Sequence, residues 1–240
     1  MLWYKAWLET RWRFLVCLAL ILLPAYEFFH LGTTLRSWEV DEPFPYFRRL
    51  FYSHAGSATV WQFAAIFLGL GGLVRERATG SSSLTLTLPV SRGRLVGVRV
   101  GVGVVEATAL AVAPWVANLL TSAFRGTPFS ASQAACCILL LAGGGMVYFA
   151  MAVLVSSVVE GEYTAVAIAF GVVILAYALS RDVEWLKALN LFPLVTGSGY
   201  VNKETFLFPE ALPWSSILAS LSVAGLMVFA SIAIIQRREF

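Results

Sequence analysis

Charged residues are scarce in this chain of 240 residues. They make up 13% of it, hydrophobic residues make up 59%, and the mean hydropathy is +0.78. A soluble domain has about 25% charged residues. The composition therefore excludes an ordinary soluble domain and predicts a polytopic membrane protein.

Lysine is also rare. Lys5, Lys187 and Lys203 are each followed by a residue other than serine or threonine. None of them can complete the Lys-Ser or Lys-Thr pair of a phosphate-binding loop. The sequence thus predicts that this chain does not hold ATP in that way.

Residues that carry chemistry are few. His30 and His54 stand apart, without cysteine or carboxylate at ligand spacing, so we predict neither a zinc nor a di-iron site. Cys17, Cys136 and Cys137 fall inside apolar runs, where cysteine usually packs as a small hydrophobic residue. No Gly-x-Ser-x-Gly elbow occurs. We predict no enzyme activity, and no catalytic, cofactor-binding or metal-binding residue, in this chain.

Long apolar runs dominate what is present. A membrane-spanning helix needs roughly 20 predominantly apolar residues, and continuous runs without two-residue alternation favour helices over a barrel. We predict an all-α fold: one transmembrane domain over residues 1–240, with six helices. The predicted spans cover residues 13–29, 55–74, 95–122, 134–159, 163–180 and 212–235. Pro114 and the glycines 143–145 predict a tilt or a kink in the third and fourth spans.

The arginines and lysines predict the orientation. With the N-terminus inside, ten basic residues fall in cytoplasmic segments and seven in outer segments. Short cytoplasmic loops carry the excess of basic residues, so we predict that both termini are cytoplasmic, which agrees with an even number of spans. We also predict a multi-pass location in the inner (plasma) membrane. Arginines near lipid headgroups account for the net charge of +3 without a nucleic-acid partner.

The first dozen residues mix aromatic rings with charges. Residues 1–12 are therefore predicted to form a helix that lies in the membrane interface. A signal peptide is the alternative, with residues 14–25 as its apolar core. However, residues 26–29 read Tyr-Glu-Phe-Phe where cleavage requires small side chains, so we expect an uncleaved first span.

One carboxylate falls deep within a predicted span. Glu106 lies about eleven residues into the third span, roughly 16 Å from the inner boundary at 1.5 Å per residue. One interpretation is functional: Glu106 carries a proton or contacts the substrate. The other is structural: Glu106 makes a buried hydrogen bond to a neighbouring helix, through Thr108, Ser156, Tyr148 or another polar group. Asn118 is a weaker candidate for an intramembrane polar site, because it lies toward the outer end.

The most basic loop connects the second and third spans, over residues 75–94. It carries Arg75, Arg77, Arg92 and Arg94 around a leucine-containing run. These arginines either form a docking surface for a cytoplasmic partner or only enforce topology and bind anionic lipid.

The residues 84–95, Leu-Thr-Leu-Thr-Leu-Pro-Val-Ser-Arg-Gly-Arg-Leu, followed by Arg99, resemble the signature of ABC-2 type permeases. These are membrane subunits of one class of ATP-binding-cassette transporters. The resemblance extends to the plan of an interfacial N-terminal helix, six spans, a loop after the second span and a basic tail. It implies a permease, and it implies export.

Several partners follow from this resemblance. A separate cytoplasmic ATPase would bind ATP and magnesium, and two permease chains, identical or different, would form the pathway within the membrane lipids. The loop would dock in a groove of the ATPase. The residues implied in this coupling are Arg75, Arg77, Leu84, Leu86, Leu88, Pro89, Arg92 and Arg94.

The two outer segments differ in character. Residues 30–54 are predicted to form a surface loop with turns at prolines. Residues 181–211 are too apolar for a plain solvated loop, and the resemblance implies short re-entrant or surface helices that close the outer end of the pathway.

Other classes of function stay open. A secondary carrier would usually show two related halves, which we do not find. A membrane complex that uses ATP for mechanical work without ordinary transport is a further alternative. The low charge within the spans favours an amphipathic or lipid-like cargo.

Overall fold

Helices make up the described structure. The computed structural model describes residues 2–34, 45–70, 91–125, 130–159, 161–182, 184, 187, 190–205, 207–208 and 212–237. Within these ranges the regular structure is helical and no strand occurs. The predicted all-α fold is confirmed for this part of the chain.

The described helices follow one another along the chain. They are α1 (Leu2–Thr34), α2 (Pro45–Gly69), α3 (Arg92–Arg125), α4 (Ala131–Leu139), α5 (Gly145–Val158), α6 (Glu162–Asp182), α7 (Phe192–Val195) and α8 (Trp214–Arg237). By length and composition, three described stretches could cross a membrane, namely Gly93–Phe124, Ala131–Val158 and Trp214–Arg237, and Thr164–Ser180 is a shorter apolar helix. The count of six spans stays a prediction.

The first helix is uninterrupted. The sequence predicts an interfacial helix up to residue 12 and a separate span from residue 13, whereas α1 runs through both as one helix of 33 residues. At 1.5 Å per residue it is about 50 Å long, which exceeds the roughly 30 Å hydrocarbon thickness of a bilayer. Trp3, Tyr4 and Trp12 near its start are exposed.

The fourth span contains a turn of π-helix. Leu140–Gly144 forms this turn between α4 and α5, where the sequence predicts a kink from its glycines. Gly143, Gly144 and Gly145 each face a different neighbour. These are Ile217 of α8, Leu194 of α7 and Trp61 of α2, respectively. The Ser220 hydroxyl donates to the Gly144 carbonyl at 2.6 Å, a bond that joins α8 to the π turn.

Helix α1 packs parallel to α3. Trp3 lies against Gly101, where a Cβ atom would approach the indole to 2.8 Å, and Thr10 bonds to Glu106. Residue numbers thus rise together along the two helices. Helix α2 runs antiparallel to α3, since the Trp61 indole N–H donates to the Ala107 carbonyl at 2.8 Å while His54 lies beside Trp115.

The helix ends gather at two levels. One cavity is lined by residues near the start of α1, the end of α2, the start of α3 and the second halves of α5 and α8. At the other end, an apolar cluster combines Trp115, Leu194, Phe208 and Ile217. We call these the inner end and the outer end. The starts of α1 and α3 therefore lie at the same level as the ends of α2 and α8 and the second half of α5.

Candidate functional site

Most of the predicted coupling residues lie outside the described residues. These are Arg75, Arg77, Leu84, Leu86, Leu88 and Pro89. The next residue that the structure describes is Ser91, directly before α3. Arg92 follows, with its backbone described but not its side chain. Arg94 is exposed.

Helix α3 begins at Arg92, three residues before the predicted start of the third span at Leu95. Ser91 stands at the N-cap position: its carbonyl accepts the Arg94 N–H at 3.0 Å, and its hydroxyl oxygen lies 3.4 Å from the same nitrogen. Arg92 and Arg94 therefore belong to the first helical turn and not to a loop. A cation at a helix N-terminus is disfavoured by about 0.3–1 kcal/mol. Helix stability thus does not explain why arginine stands there.

Charged side chains of α1 and α3 meet at the inner end. The Arg99 guanidinium pairs with the Glu9 carboxylate at 3.4 Å, and the Lys5 ammonium lies 3.7 Å from the same carboxylate. Arg13 donates to the carbonyls of Leu70 and Phe67, the latter at 3.4 Å. Phe67 lies in the last turn of α2 and Leu70 directly follows that helix, so Arg13 binds its C-terminal end.

Glu106 makes a hydrogen bond between helices. The Thr10 hydroxyl donates to Glu106 Oε1, and both residues are buried. Two of the partners that the sequence suggested make other bonds. Thr108 and Ser156 donate to carbonyls of their own helices, at 2.8 and 2.9 Å. The second oxygen, Oε2, is buried and has no hydrogen-bond partner among the described residues.

The Thr10–Glu106 contact bears on the depth of both residues. The sequence places Thr10 before the first span and Glu106 near the middle of the bilayer, yet the two side chains touch. Lys5, Glu9 and Arg99 lie at the same end as this bond. Their charges favour a membrane boundary close to it, with the first turns of α3 extending beyond the hydrocarbon.

At the outer end, residues 194–197 and 208 of the segment 181–211 are buried, while 198–199 and 202–204 are exposed. Leu194, Val195 and Thr196 are covered, and Phe208 packs on Gly197, which has a φ of +72° that an L side chain rarely adopts. The burial of these residues supports the expectation that this segment is not a plain solvated loop. Whether it is re-entrant stays a prediction.

Gln133 anchors this segment to α4. Its side-chain carbonyl accepts the Phe208 N–H at 2.8 Å, and its amide donates to the Phe208 carbonyl at 3.4 Å. Both polar groups of the Phe208 backbone are thereby paired with a single side chain.

The outer half also buries His54, which sequence reasoning considered only as a metal ligand. Its ring lies 5.8 Å from that of Trp115 and 6.3 Å from that of Phe208, by centroids. Asn118, the weaker of the two predicted intramembrane polar residues, is one turn beyond Trp115 on α3 and is buried. The spacing of His54, Ser57 and Trp61 at i, i+3 and i+7 was the available signal, because it places them on one helical face.

Metal binding has no support in the described residues. No group of three or more histidine, cysteine, aspartate or glutamate side chains there could hold a metal ion.

A protein whose described helices include three stretches long and apolar enough to cross a membrane belongs to the class of integral membrane proteins. This chain belongs to the ABC-2 family of transporter proteins, whose family model matches residues 12–195. The match runs from α1 to α7 and includes the loop and Glu106. It identifies the chain as a membrane component of ABC transport. The comparison with curated proteins gave no match.

Proposed function

We propose that this chain is a permease subunit of an ABC exporter. Two such chains, identical or different, form the translocation pathway, and a separate cytoplasmic ATPase binds ATP with magnesium and supplies the energy. Family membership over residues 12–195 carries this proposal. The chain itself offers no Lys-Ser or Lys-Thr pair for a phosphate-binding loop.

The proposed topology has six spans, with both termini in the cytoplasm, in the inner (plasma) membrane. Its support is the alternation of helix direction. The starts of α1 and α3 share a cavity with the ends of α2 and α8. The basic residues of the inner end agree with the greater number of arginines and lysines expected on the cytoplasmic side.

Coupling to the ATPase is assigned to residues 75–94 and to the first turn of α3. Arg94 is exposed there, and Arg92 occupies the same turn. Arginine offers a planar fork of donors that suits an acidic groove. The cost of placing cations at a helix N-terminus supports a role other than helix stability.

Motion of α3 would carry α1 with it. The two helices are joined by the Arg99–Glu9 ion pair and by the Thr10–Glu106 hydrogen bond. Partly buried charged and polar contacts of this kind hold a defined geometry better than apolar contacts alone. In the proposed cycle, ATP-driven closure of the ATPase therefore displaces the pair as one unit.

Co-purification tests the proposal. The chain is purified from its native membrane in mild detergent, and accompanying proteins are identified and quantified by mass spectrometry. Arg92→Glu with Arg94→Glu is compared with Arg237→Glu with Arg238→Glu, a double charge reversal of equal size at the basic tail. An ATPase in equal amount that is lost only in the first variant supports the proposal. An absent ATPase, or equal loss in both variants, contradicts it.

A further inference from the structure

Buried polar atoms without partners are concentrated on two helices. In the described part of the chain, all buried side-chain nitrogen and oxygen atoms that lack a hydrogen-bond partner belong to α2 and α3. They are both ring nitrogens of His54, Ser57 Oγ, Gln62 Nε2, Glu106 Oε2 and Asn118 Oδ1. A native structure usually pairs such atoms, so each one needs an explanation.

Three of these residues lie in the outer half, and we call them the outer polar cluster: His54, Ser57 and Asn118. They are 3%, 2% and 5% exposed, respectively. Ser57 is one turn from His54 on α2. Asn118 is one turn from Trp115, whose ring lies 5.8 Å from that of His54. Because the two helices are antiparallel, Ser57 lies one turn from His54 toward the inner end, whereas Asn118 lies one turn from Trp115 toward the outer end, so the cluster extends over about two turns.

Among the described residues, the surroundings of the cluster do not supply the missing partners. The walls near His54 are the rings of Trp115 and Phe208. The backbone of Val195 lies close to the imidazole without reaching hydrogen-bond geometry. In the hydrocarbon of a membrane, where water is scarce, the free-energy cost of leaving these groups without a hydrogen bond is higher than at a surface in contact with water.

The chemistry of the cluster defines what would bind there. A neutral imidazole has one donor and one acceptor, a serine hydroxyl is both, and the free atom of Asn118 is an acceptor. A complementary ligand group must donate and accept while carrying no charge. Aromatic walls suit the apolar part of the same molecule.

We propose that the outer polar cluster binds an uncharged hydroxyl or amide group of the transported molecule, between α2 and α3 and beneath Phe208. This inference rests on the proposed function. It refines the expectation of an amphipathic cargo by naming where the polar part of that cargo is held. In the described conformation the Phe208 ring lies against His54, and in this proposal the site is reached when α2 and α3 separate during the ATP cycle.

Cysteine labelling tests access to the site. Ser57→Cys and Asn118→Cys are made in a full-length chain whose Cys17, Cys136 and Cys137 are alanine, and the complex is exposed to a small water-soluble maleimide with and without ATP. Ala65→Cys on α2 and Ala169→Cys on α6, both at 0% exposure, are the controls. We expect ATP to change the labelling rate at both test positions at least tenfold, and to leave both controls slow.

Two labelling results would overturn the proposal. One is a rate at Ser57→Cys and Asn118→Cys no higher than at the controls in either condition. The other is fast labelling that ATP does not change, which means that the cluster is only wetted by water. Loss of the ATPase from the unlabelled parent chain is a separate result, and it contradicts the proposed function, not the site.

Stability gives a second test that needs no labelling. If Ser57 Oγ and Asn118 Oδ1 have no partner within the chain, Ser57→Ala and Asn118→Leu each remove an unpaired oxygen, the second together with its amide nitrogen, and the melting temperature in detergent should rise, by about 2 °C or more. Ser156→Ala is the control, since Ser156 donates to Val153 at 2.9 Å. A fall at both test positions would show that the side chains serve packing, and it would overturn the proposal.

Discussion

At the scale of single residues, Thr10 and Glu106 have the clearest consequence. Thr10 donates to Glu106 Oε1, and Glu106 Oε2 has no partner. Thr10→Val removes the donor, keeps the shape and leaves the buried carboxyl group without any hydrogen bond. We expect a loss of about 1–3 kcal/mol in stability, measured as a lower melting temperature of the purified chain in detergent.

Two variants give this prediction its controls. Thr108→Val makes the same change on α3, where the hydroxyl bonds only to its own helix at 2.8 Å, so its effect should be small. Glu106→Gln retains an oxygen that accepts from Thr10 and should be tolerated better than Glu106→Leu. Equal losses in Thr10→Val and Thr108→Val would contradict the importance of the bond between helices.

Gln133 is the second residue with a defined role. Gln133→Leu removes both of its bonds to the Phe208 backbone, at 2.8 and 3.4 Å. We expect hydrogen exchange of the Phe208 amide to accelerate on the order of tenfold, because opening that segment then costs less. Ser132→Leu, an exposed neighbour, should leave exchange unchanged. If the hydrogen-exchange rate of the Phe208 amide did not change in Gln133→Leu, Gln133 would not be what holds this segment to α4.

At the scale of helices, the π turn fixes how α5 meets α2. A Cβ atom on Gly145 would overlap the Trp61 ring, which is fully buried and bonded to Ala107. Gly145→Ala therefore forces a core ring to move and should cost about 1–3 kcal/mol in stability, read from thermal denaturation in detergent.

The matched control is Gly171→Ala on α6, where a Cβ atom meets nothing within 4 Å. Alanine there should be neutral or slightly stabilising, because glycine is the poorer helix former. If both alanines had the same effect, the close approach of α2 and α5 at Gly145 would not matter for stability.

Helix starts show what sequence reasoning could and could not reach. Both α3 and α4 begin three residues before the predicted spans, at Arg92 and Ala131. A sliding average of hydropathy misses such starts, because the first turn of each helix contains polar residues that lower the average. Ser130 with Gln133 does match the Ser-x-x-Gln pattern of a helix start, so one of these ends could have been found. The Thr10–Glu106 bond could not, because its partners are 96 residues apart and nothing local specifies the pair.

At the scale of the whole molecule, the alternation of helix directions predicts where the termini lie. The start of α1 and the end of α8 line the same cavity. Single cysteines at Leu2 and Arg237 in a cysteine-free chain should therefore react with a membrane-impermeant maleimide from the same side. Inverted vesicles should label both positions and right-side-out cells neither. Labelling from opposite sides would contradict an even number of spans.

Much of the molecular plan followed from composition, because apolar length and basic loops are set by the bilayer itself. The family followed from the run over residues 84–95. The outer polar cluster could not be predicted from the sequence. His54 has no cysteine or carboxylate near it in the chain, and it comes near the helical face of Asn118 only when α2 and α3 pack. Sites built from two helices are in general invisible to motif reading, since each helix contributes only one or two residues.

The parallel pairing of α1 with α3 also bears on biosynthesis. Thr10 is made 96 residues before Glu106, and at about 5–20 residues per second that interval lasts on the order of 5–20 seconds. During this time α1 is in or at the membrane without its polar partner, and α2 must enter before α3 can arrive. During synthesis the first helix therefore exists for several seconds before its bond to α3 can form. A chain released before residue 106 would leave the Thr10 hydroxyl without its partner on α3.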